Sequence, residues 1–139
     1  MISTDDIATN VYHILNDSHI PGMITGSIGY YRIDYSKEDI IIVPHTMIGS
    51  SSVRYGQINV NIHVPDLNKN IGGSATYIPH KKRLNSIRKE VAIILKKHYD
   101  GLEGYSWTVS SMDPAIKEQG HDEHFMSVKL EITVRKKDV

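Results

Sequence analysis

The chain has no cysteine, a single phenylalanine and a single tryptophan among its 139 residues, and its sixteen basic and sixteen acidic side chains cancel. Without thiols there are no disulfide staples and no thiolate chemistry, so a reducing, cytoplasmic setting is expected. Without net charge there is no overall field to draw the chain to nucleic acid or an anionic membrane, and neither partner is expected. No segment approaches the roughly 18 apolar residues of a membrane span, and Met1 to Asp6 lacks the basic start and apolar run of a signal peptide. A soluble, intracellular protein is the expectation. Repeats and low-complexity tracts are also missing, and the length suits one domain over residues 1–139.

What is present is led by the stretch Gly56 to Asp66, where Ile58, Val60, Ile62 and Val64 alternate with Gln57, Asn59, Asn61 and His63. Side chains of a strand point alternately to its two faces, so one face here is apolar and the other carries amides and an imidazole. Such groups both donate and accept hydrogen bonds, which suits a covered face better than a purely solvated one.

Ahead of this strand, Ser3 or Thr4 can cap a helix in which Ile7, Val11, Ile14 and Leu15 recur at helical spacing, running to about Asn16 and stopping near Pro21-Gly22. Ser27 to Ile33 and Asp39 to Val43 are predicted strands joined by a short turn, and Pro44 to Ser52 is predicted to be a mobile loop. Asp66 to Pro79 is a long connection rich in Asn and Gly. A second helix follows, with Leu84, Ile87, Val91, Ile94 and Leu95 on one face, Lys96, Lys97 and His98 at its far end and Gly101 as its stop. Tyr105 to Ser110 and Met126 to Arg135 alternate as strands, paired across the polar connection Asp113 to His124. The expected fold is α+β: a single antiparallel sheet of about five strands with two helices packed on one face, in the order αβββαββ.

Catalytic signatures do not emerge. His121-Asp122-Glu123-His124 lacks the HExxH spacing and reads as a solvated hairpin tip, no serine sits in a GxSxG elbow, and Gly72-Gly73-Ser74 lacks the ending of a phosphate loop. Glu38 and Asp39 are adjacent, so on a strand they diverge. No catalytic residue, cofactor or metal ligand is assigned. The run His80-Lys81-Lys82-Arg83 places cations at a helix start, against the helix dipole, where plain solvent, an acidic surface on another subunit or a phosphate can compensate them.

The whole-chain pattern resembles the small tail-completion or tail-terminator proteins of tailed bacteriophages. It rests on the capped helix Thr4 to Asn16, the strand entry Ser36-Lys37-Glu38-Asp39-Ile40-Ile41-Ile42, the strand Gly56 to Asp66, the loop after it, the Arg83 to His98 helix and two closing strands. The resemblance implies a virion protein of the head-tail neck, assembled in the host cytoplasm as a ring, commonly a hexamer, that docks on tail-tube and head-connector proteins. It implies no enzyme activity. Asn59, Asn61 and His63 are then expected to form a subunit or tube contact. In a cyclic ring each patch meets a different patch of the next subunit, so Lys81, Lys82 and Arg83 are expected to face Asp122 and Glu123. Two other readings compete: a cytoplasmic protein-interaction module, and a small enzyme whose histidines converge only in the fold.

Overall fold

The computed structural model describes residues 2–50 and 52–136, with backbone alone for Ser111 and Met112. Ser51, within the serine run expected to be a mobile loop, lies outside the described residues. The first helix, α1 (Thr4–Asn16), starts where the sequence signals: Ser3 and Asp6 form a reciprocal capping box, and Ile7, Ala8, Val11 and Leu15 face inward. A one-turn helix, α2 (Ile20–Met23), then leads to a two-residue strand, β1 (Ile28–Gly29). It is followed by β2 (Asp39–Pro44), β3 (Ile48–Gly49) and the long β4 (Val53–Pro65). Next come β5 (Leu67–Ile71), β6 (Ser74–Ile78) and α3 (Lys81–Ile94). The chain closes with β7 (Lys97–Asp100), β8 (Tyr105–Met112), β9 (Ile116–Lys117) and β10 (Glu123–Arg135).

This corrects the expected fold class. Among the described residues strand makes up 44% and helix 23%, in a curled, mixed eight-stranded sheet plus a separate two-stranded one, so a five-stranded α+β sheet with two helices is overturned. The main sheet runs β1-β2-β4-β10-β8-β7, with β3 added to β4 and β9 added to β10. Several segments expected to be loop or helix are strand instead, among them β9 and the start of β10 within the expected polar connection Asp113 to His124. Pro44 to Ser52 contributes β3, which pairs with the start of β4. The long connection after Asp66 is a hairpin, β5 paired with β6, whose Gly72 and Gly73 both take positive φ in a two-residue turn. Helix α3 stops at Ile94, so Lys97 and His98 belong to an edge strand and not to the helix end. There the Trp107 indole donates to the Leu95 carbonyl at 2.9 Å while β7 pairs with β8. Cross-strand pairing wins over helix propensity that is still adequate locally.

The expected strand Ser27 to Ile33 is also cut short, because β1 pairs parallel with β2 and then gives way to a loop. The long strands β4 and β10 are antiparallel over thirteen residue pairs and form the middle of the sheet. Ile58, Val60, Ile62 and Val64 of β4 and Met126, Val128, Leu130, Ile132 and Val134 of β10 are buried in one cluster with the inner faces of α1 and α3. Burying each such side chain contributes roughly 1.5–3 kcal/mol. No helix among the described residues is long and apolar enough to cross a membrane.

Candidate functional site: a buried histidine and carboxylate network

Away from the helices, the alternation that buries Ile58 to Val64 places Gln57, Asn59, Asn61 and His63 of β4 beside Glu131, Lys129, Ser127 and Phe125 of β10. Asn59 and Asn61 are half-buried, and their amides are partly used within the face. The Gln57 amide donates to Asn59 Oδ1 at 2.7 Å, and the Ser127 hydroxyl donates to Asn61 Oδ1. His63 is not at the surface: its side chain is 7% exposed, so it is unavailable as the subunit contact expected of it.

The loop after β1 closes this end of the face by inserting Arg32. All five guanidinium N–H groups find acceptors: Nε donates to Glu123 Oε1, Nη1 to the Asp34 carbonyl and Asp39 Oδ2, and Nη2 to the Lys37 carbonyl and Glu123 Oε2. Asp39 Oδ1 also accepts the Ser27 N–H at 2.7 Å. Tyr35 then lies over the Arg32 guanidinium and stacks on His121, with ring centroids 3.5 Å apart. Glu123 is fully buried and opens β10, where the sequence suggested a solvated tip. It is therefore unavailable to a neighbouring subunit.

His63 stacks on Phe125 and aims Nδ1 at Glu123 Oε1, 3.1 Å away, and at Glu118 Oε2, 3.6 Å away. Both are acceptors when ionised, so Nδ1 carries the proton of the neutral ring. Burial pushes the His63 pKa down and outweighs the upward pull of Glu123. Neutral imidazole is thus the favoured form.

The remaining expected residues scatter. Arg83 is engaged inside the chain, donating to both oxygens of Glu38 and to the Met23 carbonyl. Lys81, Lys82 and Asp122 are exposed, and none of them makes an ion pair among the described residues. His124 lies on the face opposite His63 and contacts Asp66 Oδ1 at 2.6 Å, while His45 sits beyond the far end of β2. His63 and His121 thus border the Arg32 network, whereas His45 and His124 lie away from it. A cavity of about 900 Å³ is found at the other end of β10, beside Arg135 and Lys136, with Asp6, Asp100 and Glu103.

Arg32, Asp39 and Glu118 were missed by sequence reasoning. For Asp39 a signal existed, a carboxylate opening a run of isoleucines; for Arg32 and Glu118 none did, because the contacts that draw them into the network, Arg32 with Glu123 across 91 positions and Glu118 with His63, join distant segments. Fold and network together define a mainly-β protein whose polar sheet face is locked from within by ion pairs. Comparison with protein-family models and with curated proteins finds no match to this chain.

Proposed function

We propose that this protein is a non-catalytic, ring-forming subunit of the phage-neck type, capping a tail tube and joining tail to head through contacts with copies of itself and with tube and connector proteins. The observation that supports this most directly is the β5–β6 hairpin. Among the described residues it pairs only with itself, and Asn68 to Ala75 are exposed on both of its faces, Ile71 included. An isolated two-stranded hairpin is marginal in water, and stable folding usually needs a third strand or a packed face. A neighbouring subunit in a ring would supply that cover. The exposed cations Lys81 and Lys82, at the base of the arm, would then meet Asp122 of the next subunit in a heterologous contact. Arg83 and Glu123 take no part, since each is paired within its own chain.

The test is the solution mass of the full chain and of a variant in which Leu67–Ile78 is replaced by a short Gly-Ser turn. A closed-ring mass for the full chain, lost in the shortened one with circular dichroism otherwise unchanged, supports the reading. A full chain that stays monomeric at high concentration counts against it. A neck role also requires the gene to lie among head and tail structural genes.

A further inference from the structure

We propose that His63, Glu118 and Glu123 form a binding site for one divalent cation with zinc-like preferences, held by one imidazole nitrogen and two carboxylates. Each of the three offers a ligand atom, and those atoms lie within 4.8 Å of one another. A tetrahedral zinc ion with ligands at about 2.0–2.1 Å separates neighbouring donors by about 3.3 Å. His63 Nδ1 stands 3.1 Å from Glu123 Oε1 and 3.6 Å from Glu118 Oε2, which brackets that spacing before any ion binds.

Charge points the same way. Asp39, Glu118 and Glu123 are three carboxylates in one network, and Arg32 is the only Lys or Arg paired with them among the described residues. Three carboxyl groups and one guanidinium leave the cluster with two carboxylates in excess of its cations beside the His63 ring. Buried charges are ordinarily paired or coordinated to metal. A divalent ion would bring the network to neutrality, whereas a surface carboxylate cluster would leave that work to water. Here Glu123 is fully buried and Asp39 nearly so.

The supports of the site are in place as well. Stacking on Phe125 fixes the imidazole plane, and Arg32 holds Glu123 through both oxygens. The Glu118 N–H donates to the Glu123 carbonyl at 3.0 Å, which closes the turn that carries Glu118 over the strand. Such outer partners orient metal ligands. On loading, the Nδ1 proton leaves for solvent and Nε2 takes one up, so the ring stays neutral and Nδ1 presents its lone pair. A solvent water completes four-coordination. The bound ion would pin the turn before β10 to β4.

This inference does not depend on ring assembly. The experiment dialyses the full chain against EDTA, titrates it with zinc chloride by calorimetry, and repeats the titration with cobalt(II) while recording visible absorption. Expected are one zinc per chain, a higher Tm with zinc, and the intense d–d bands of tetrahedral cobalt. Glu118→Gln, at a side chain 30% exposed, should keep the fold and weaken binding by about tenfold or more. His45→Ala, at a histidine outside the cluster, should bind as the parent does. No binding by the parent chain, octahedral cobalt spectra, or undiminished affinity in Glu118→Gln would overturn the proposal.

Discussion

At the scale of single residues, two arginines fasten the chain to itself, and both tolerate little change. Replacing Arg32 with Met leaves Glu123 and Asp39 buried without their cation, and losing one partner of a buried pair costs about 3–5 kcal/mol. Urea unfolding should show that loss, and Lys should rescue only part of it, since an ammonium cannot reproduce five directed donors. Gly26 is equally constrained: a Cβ there would collide with the Asp39 carboxylate and the Glu38 carbonyl. Gly26→Ala should therefore destabilise by about 1–3 kcal/mol in the same assay. Arg83 predicts a pH effect. Its hydrogen bonds hold the Glu38 pKa below the usual 4.5, against the opposing push of burial. A depressed carboxylate contributes stability above its unfolded pKa and loses it as pH falls through the folded one. Wild-type stability should thus fall below about pH 4.5 more steeply than that of Glu38→Gln, measured by denaturant midpoints across that range.

Among the elements, β4 and β10 carry the core, and they are also the elements whose pattern was plainest in the sequence. Alternation over Gln57 to Val64 and Met126 to Arg135 let the buried apolar set be read without knowing the partner strand, though not the buried His63, Glu123 and Ser127. Leu130, fully buried on β10 between β4 and β8, should cost about 2–5 kcal/mol on substitution by Ala, read from thermal unfolding. The end of α3 was not legible. Leu95 continues the apolar face of the helix, but its carbonyl accepts the Trp107 indole and the next residues join a strand. That outcome depends on a residue twelve positions away, which no local window weighs. The hairpin was half legible: Gly72-Gly73 is a recognised turn signal, but Asn68, Lys69 and Asn70 are poor strand formers and masked it.

For the molecule as a whole, zero net charge removes long-range steering and leaves association to local patches. If Lys82 meets Asp122 across a ring contact, Lys82→Glu should reduce the assembled mass in light scattering. Adding Asp122→Lys should restore it. Both residues are exposed and unpaired in the chain among the described residues, so folding should be unaffected. An unchanged mass in the single variant would remove this contact from the proposed ring.

By itself the sequence determined the elements whose evidence is periodic and local: the capped helix α1, the apolar face of α3, and the inward residues of β4 and β10. It also determined that Glu38 and Asp39 diverge, one toward Arg83 and the other toward Arg32. Tertiary structure alone decided which strands pair, that β1 runs parallel to β2, and that Arg32 and Glu123 meet across 91 positions of chain. It also turned an amide-rich strand face from a presumed contact surface into one closed at its His63 end. Periodicity fixes which way a side chain points; what it points at depends on register between distant segments, and that is settled only when the sheet closes.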